Sequence, residues 1–433
     1  MTEIDNLTDE CNADSPRPDG PILYLTGGYP RASHTFILRE VMALRRAGLD
    51  VRTASVRFSP PSELIGPEEE AAQAETFHVL RAARNPFRLV SDHVAALLAG
   101  PGRYARALIL AARTGRPGLA GGLKQAAYFL EAAVLARHMA REGISHLHNH
   151  FADSSANLAM IAAEMAGRPF SLTLHGPAEL FEPQSWRLDA KTARARFTVA
   201  ISSFARAQAM LFSERAHWQR IHVVHCGVEP ERYTNARSAP GGPTVELLFV
   251  GRLTAIKGVF VLLDALQGMP CVRLTLVGDG EDRASLEEEA RRRDLQVRFL
   301  GYQSQIDVTS ALAQADALVL PSFAEGVPVV LMEAMASGRP VIAPRVGGVE
   351  ELVEDGVSGI ITPAGDASAL RDAIAQLIAM PAEARAAMGE AGRAKVAAEF
   401  NVDIEARRLM ALFCGTAEPG EVRPQPNHVP CVG

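Results

Sequence analysis

Pro321 to Ala343 reads PSFAEGVPVVLMEAMASGRPVIA, an apolar helical stretch with Glu325 in the turn before it, Glu333 within it and the strand-like PVIA behind it. Pro328 suits the first helical position and Gly338 the residue just past the end. Between them Val329, Val330, Met332, Ala334, Met335 and Ala336 leave almost no polar face, so the helix is buried. A helix start carries unpaired backbone N–H groups and a partial positive charge, where a diphosphate can sit while two carboxylates accept hydrogen bonds from sugar hydroxyls. A nucleotide sugar has both parts. An isolated glutamate pair also occurs on buried helices without any ligand, so the surroundings must carry the reading.

Those surroundings alternate short apolar runs with longer helical patterns. ILYL from Ile22, FSLTL from Phe170, FTVAI from Phe197 and IHVV from Ile221 read as strands of a parallel sheet. The theme returns in ELLFV from Glu246, VRLTLV from Val272, VRFL from Val297, ALVL from Ala317 and PVIA from Pro340. Two α/β units are therefore expected, at 21–235 and 245–400. ARSAPGGPT, rich in small residues, marks the linker at 236–244. A helix is expected at 401–414, able to pack on either unit, with disordered ends at 1–20 and 415–433.

Composition narrows the function. The 433 residues are too many for one ordinary core, and 48% hydrophobic with 22% charged residues describes a globular protein. A net charge of -6 gives no general attraction to nucleic acid. Five cysteines, Cys11, Cys226, Cys271, Cys414 and Cys431, include no C-x-x-C pair and suggest a reducing compartment. The acidic first twenty residues lack the apolar core of a secretory signal, and no apolar run approaches membrane-spanning length. A cytoplasmic location is expected.

VGRLTAIKG, Val250 to Gly258, follows a predicted strand and brings Arg252 and Lys257 to the strand end, where open α/β sheets bind ligands. Arg can grip a phosphate bidentately and Lys adds a compact charge, so the pair can neutralise a departing diphosphate. With VGDG (Val277 to Gly280), the Pro321 to Ala343 block and GGVEELVEDGVSGIITPAGD (Gly347 to Asp366), this ordered set resembles the donor-binding domain of retaining family-four glycosyltransferases of the GT-B fold.

The resemblance implies two doubly wound, Rossmann-like domains facing a cleft: an N-terminal acceptor-binding domain and a C-terminal nucleotide-sugar-binding domain. It implies that Arg252 and Lys257 contact the donor diphosphate, that Glu325 holds a sugar hydroxyl, and that amides around Gly326, Val327, Pro328 and Val329 position sugar and phosphate. Glu333 would take the ribose hydroxyls. Pro328 stands where some members have Gly, and having no N–H it removes any amide contact there.

TGGYPRASHTFILREVMALRRAG, from Thr26, is similar to the first strand, glycine loop and helix of exopolysaccharide-type members, with Gly27 and Gly28 letting a phosphate or acceptor approach the backbone. His34 stands where that subgroup often has Glu. SLTLHG resembles the family's strand-end histidine and places His175 near the transferred sugar. HCGVEPERY, from His225, is similar to the family's segment before the linker. In HLHNHF a strand would aim His146, His148 and His150 to one face. Without clustered cysteines or a carboxylate pattern, and with a similar run in metal-free relatives, no metal is expected.

The resemblance thus implies hexosyl transfer from a nucleotide-sugar co-substrate to a hydroxyl, with no cofactor and with retained configuration. The expected acceptor is a lipid-linked saccharide in exopolysaccharide or lipopolysaccharide biosynthesis at the inner membrane face. An epimerase or a nucleotide-sugar-binding protein without turnover are the alternatives. Arg81, Arg84, Arg88, Arg103, Arg106, Arg113, Arg116 and Lys124 face only Asp92 in sequence, a basic amphipathic region suited either to anionic lipid or to plain solvent.

Overall fold

Strands buried on both faces carry near-continuous apolar runs, and two parallel sheets follow from them. The computed structural model describes residues 18–233 and 244–416. Most of the expected linker, the tail beyond Thr416 and the first seventeen residues, with Cys11 and Cys431, lie outside the described residues.

The first sheet comprises β1 (Ile22–Gly28), β2 (Val51–Arg57), β3 (Phe77–His78), β4 (His146–His150), β5 (Phe170–Leu174), β6 (Thr198–Ala200) and β7 (Ile221–Val223). Their spatial order is β3-β2-β1-β4-β5-β6-β7, all parallel. The second comprises β8 (Val245–Val250), β9 (Val272–Val277), β10 (Val297–Gly301), β11 (Ala317–Val319), β12 (Val341–Pro344) and β13 (Gly359–Thr362), in the order β10-β9-β8-β11-β12-β13. Each sheet reverses direction beside its first strand, the doubly wound arrangement.

β1 shows why both faces fill. Leu23 and Leu25 enter one core, while Ile22 and Tyr24 enter the core on the other face. That second core also takes helix α1 (Thr35–Arg46) through Ile37, Val41 and Leu44, and the C-terminal helix (Val402–Cys414) through Val402, Leu409 and Phe413. The C-terminal helix therefore packs on the N-terminal lobe, whose Tyr24, His148 and Phe197 rings surround Phe413.

Strands β2, β3 and β13 are absent from the sequence-based expectation. VRTASVR at β2 carries buried Thr53 and Ser55, which dilute the apolar run. Their hydroxyls are satisfied locally: Thr53 Oγ1 meets Thr76 Oγ1 at 2.8 Å, and Ser55 Oγ accepts from Tyr29 N at 3.0 Å.

The basic region folds as helices. It forms helices α2 (Pro86–Ala99), α3 (Pro101–Thr114) and α4 (Leu119–Arg141), the last packing on α5 (Ser154–Ala166), after a short helical turn at Val79–Ala83. Asn85 caps α2 by accepting from Phe87 N and Arg88 N, and Pro101 starts α3. Asp92 turns inward, 3.5 Å from Arg88 and 3.7 Å from Arg141, while Arg106 pairs with Glu164 and Arg116 with Glu182. The arginines are therefore not a uniform free face.

Candidate active site

Lys257 and Glu325 meet because two loops of the second sheet press together. Gly258 has φ +63, and a Cβ there would lie 2.2 Å from the Pro321 carbonyl oxygen, so only glycine fits. Phe323 N donates to Ile256 O at 2.8 Å across the same contact. Lys257 Nζ is thereby placed 2.6 Å from Glu325 Oε1, and the carboxylate is 8% exposed. A charge-assisted bond this short in a sheltered place orients both groups. Arg252, at the end of β8, is exposed, and its charge is felt by His34 of the other lobe.

Glu325 leads into the buried helix α6 (Val329–Ala336), which begins one residue later than the sequence pattern suggests, with Pro328 as its cap. Gly338, at φ +66, follows its end as expected. Val327 is buried and Val329 half-buried beneath the cleft. Gly326 is a tight contact between the lobes: a Cβ there would sit 2.3 Å from the His175 carbonyl oxygen. Gly326 O accepts from Gly348 N at 2.8 Å, which fixes the turn from below.

Glu333, at 4% exposure, does not stand free. Its Oε1 accepts from Arg39 Nη2 at 2.7 Å, and Arg39 reaches it from α1 across the lobes. The same Nη2 lies 2.6 Å from Gln305 Oε1 and 3.2 Å from Tyr233 OH. Burial opposes the Arg39 charge, but Glu333 more than restores it, so the guanidinium stays protonated. Arg39 Nη1 is buried without a hydrogen-bond partner among the described residues.

In the N-terminal lobe, period-two alternation puts His146, His148 and His150 along one line of β4. Ser171 Oγ lies 2.6 Å from His146 Nε2 and 2.7 Å from His148 Nδ1, and Thr173 Oγ1 lies 3.0 Å from His148 Nε2. His150 Nδ1 meets His175 Nε2 at 2.7 Å, and its Nε2 lies 3.3 Å from Glu40 Oε1. Glu40 also accepts from Tyr24 OH at 2.8 Å. The other ring nitrogen of His175 is 3.6 Å from Cys226 Sγ, and Phe36 and Phe151 flank the ring. Burial holds His175 well below the ordinary histidine range, and His150 and His34 add to this, so it is neutral. Glu40, His148 and His150 bring metal-ligand atoms within 4.8 Å of one another, but both nitrogens of His148 already serve hydroxyls. His225, in the segment before the linker, turns Nδ1 to the Ile201 carbonyl oxygen at 2.7 Å.

Gly28 and Gly27 line a cavity of about 160 Å3 at the end of β1, with Arg31, His34, Arg57, Tyr128, Glu131 and Asp153. The space beside Gly28 is filled by the Arg31 guanidinium, which would lie 2.5 Å from a Cβ there. Burial raises the Glu131 carboxyl to about 7, against the pull of Arg57, and burial with Arg31 lowers His34 to about 4.

The structure thus brings Lys257, Glu325, Gly326 and His175 to one interlobe contact and sets Glu333 beside it under Arg39. Sequence reasoning passed over Arg39, Glu40, Tyr233, Gln305, Arg31 and Glu131. The one signal was the charged pair Arg39-Glu40 inside the otherwise apolar FILREV face of α1.

The family model for group 1 glycosyl transferases matches residues 235–395, and that for glycosyltransferase family 4 matches residues 34–232. The amylovoran biosynthesis glycosyltransferase AmsK of Erwinia amylovora is 36% identical over 208 residues, 45% of this chain and 51% of that relative. The match with AmsK therefore spans about half the length of that protein. An uncharacterized glycosyltransferase of Methanocaldococcus jannaschii is 30% identical over 257 residues, 58% of this chain and 70% of the relative. Among solved structures, Anabaena HepE in complex with UDP and glucose superposes with a TM-score of 0.69 at 21% identity, covering 90% of this chain and 98% of that one. That likeness concerns the fold. Two doubly wound lobes, the family models in succession over 34–395 and these relatives agree: the chain belongs to the family-four glycosyltransferases of the GT-B fold.

Proposed function

We propose that this chain is a retaining glycosyltransferase that moves a sugar, a hexose on the family reading, from a nucleotide-sugar donor to a hydroxyl of a lipid-linked saccharide. The pathway would be exopolysaccharide or lipopolysaccharide biosynthesis, at the cytoplasmic face of a membrane. The observation that carries this reading is the Lys257–Glu325 pair at 2.6 Å, beside Gly326 at the interlobe contact. In this reading Glu325 accepts a hydrogen bond from a hydroxyl of the transferred sugar. Lys257 and Arg252 compensate the charge that grows on the diphosphate as the glycosidic bond breaks, without a divalent cation. Glu333 exchanges part of its bonding with Arg39 for ribose hydroxyls.

No carboxylate in the sequence stands out as a covalent nucleophile, which favours departure of the diphosphate and attack by the acceptor on one face of the sugar. His175 then contributes a neutral ring and a main-chain carbonyl beside Gly326 rather than a proton. The relation to AmsK, a biosynthetic enzyme for amylovoran by its name, supports a surface-polysaccharide acceptor.

The test is a mass-spectrometric screen of purified protein against nucleotide sugars with lipid-linked saccharides. Acceptor gaining one sugar residue is expected, with activity insensitive to EDTA. Isomerised free donor would indicate an epimerase, and donor bound but unchanged would indicate a binding protein.

A further inference from the structure

Helix α2 is amphipathic in the opposite sense to a core helix, and α3 and α4, though they bury Leu110 and Phe129 in the core, also leave large apolar side chains outside. On α2, Phe87, Val90, Val94 and Leu98 recur at spacings of three and four residues, so they share one face, and that face is exposed. The charged Asp92 lies on the opposite, buried face, 1% exposed. α4 begins in the same way, with Leu119 and Leu123 exposed by 90% and 73%, before Phe129, Leu135 and Met139 turn into the core. Ten of the twenty large apolar side chains exposed among the described residues fall between Phe87 and Leu130. So dense a patch marks an interaction surface rather than scattered surface leucines.

We infer that this face is a membrane-docking surface that inserts apolar side chains into the headgroup boundary of an anionic bilayer. Charge complementarity selects the occupant. Arg84, Arg113 and Lys124 have no ion-pair partner among the described residues, in a chain whose net charge is -6. Such cations attract anionic headgroups, whereas a second copy would bring the same cations against one another. Among the described residues no single helix is long and apolar enough to cross a membrane; α2 and α3 reach that length only as a pair, and they meet at a bend of 117°. Helices of this kind lie in the interface plane.

The face is also joined to the cavity at Gly28. α4 presents Leu123 outward and, five residues on and about 140° round the helix, lines that cavity with Tyr128 and then Glu131. At 1.5 Å rise per residue the separation along the helix from Leu123 to Tyr128 is only about 7.5 Å. A docked α4 therefore brings an acceptor carried by lipid close to the N-terminal lobe's opening. This role rests on the transferase reading, but the docking does not.

Flotation of the full chain with phosphatidylglycerol–phosphatidylethanolamine vesicles tests it, with neither donor nor acceptor present. Wild type should float, and 0.5 M NaCl should remove only part of the binding. Replacing Phe87, Leu98, Leu119 and Leu123 with Ser should lower the partition coefficient at least tenfold. Replacing Arg84, Arg113 and Lys124 with Gln should lower it less. Single F87S and L119S variants, at sites with no packing to lose, guard against misfolding and should each weaken flotation. The inference is overturned if wild type stays in solution or if the serine variants float like wild type. It is likewise overturned if the cation variants alone lose binding, or if the serine changes instead abolish a concentration-dependent dimer.

Discussion

Lys257 and Glu325 carry the chemistry in this account, so single substitutions there give the sharpest contrasts. A hydrogen bond to a charged carboxylate contributes roughly 1.5–3 kcal/mol. Glu325→Ala should therefore slow transfer about tenfold to a hundredfold while circular dichroism stays unchanged. Wild-type turnover in that variant would remove Glu325 from the site. Lys257→Ala and Arg252→Ala should raise donor KM and also lower kcat, because the diphosphate gains charge in the transition state; a change in KM alone would reduce them to binding groups. The individual glutamates and cations were legible in the sequence through their motifs. Their partners were not. Arg39 and Glu333 are separated by 294 positions, and His150 and His175 meet only because β4 pairs with β5. Nothing local in either segment encodes those contacts.

Among the elements, the turn at Gly326 is the most constrained. A methyl group there must displace either the His175 carbonyl or the turn itself, since it would lie 2.3 Å from that oxygen. Gly326→Ala should lower transfer more than tenfold, with thermal stability nearly unchanged if the lobes simply separate at that point. Steady-state rates and a melting curve on the same preparation decide this, and an active, unaltered variant would show that the contact does not matter. Most strands were readable as apolar runs, and α6 was displaced by a single residue because proline suits both the cap and the first turn. β2 escaped because buried Thr53 and Ser55 look like surface residues until their hydroxyl partners are known. The segment from Arg81 to Lys124 reads as amphipathic in sequence, but the orientation of its helices cannot be read there. Which face of a helix meets the core is decided by the neighbour, here α4 for α2 and α5 for α3 and α4, and not by the helix alone.

For the whole molecule, closure of the two lobes runs through Arg39–Glu333 and through Glu351, whose carboxylate accepts from Ser203 N and Phe204 N of the opposite lobe. Removing one partner of a buried ion pair costs roughly 3–5 kcal/mol. Arg39→Ala should lower the melting temperature, and a bound nucleotide diphosphate should restore more of it than it adds to wild type, because ribose hydroxyls can satisfy Glu333. Equal nucleotide-induced shifts in both proteins would contradict that exchange. Stability should also depend on acid. Burial lowers His34 and His138 to about 4 and His146 to about 3, against 6.5 for an ordinary histidine. The unfolded chain then binds more protons than the folded one, so stability is complete above about pH 6.5 and declines towards pH 4. A melting temperature flat over that window would contradict the buried neutral histidines.

The most direct measurement follows one reaction by mass spectrometry, with the donor and lipid-linked acceptor that the screen identifies, in wild type and in Glu325→Ala. The expected result is one nucleoside diphosphate released for each sugar gained by the acceptor, with retained anomeric configuration in the product and at least a tenfold loss in the variant. Donor consumed without gain in acceptor mass, or equal rates in the two proteins, would contradict transfer at this cleft.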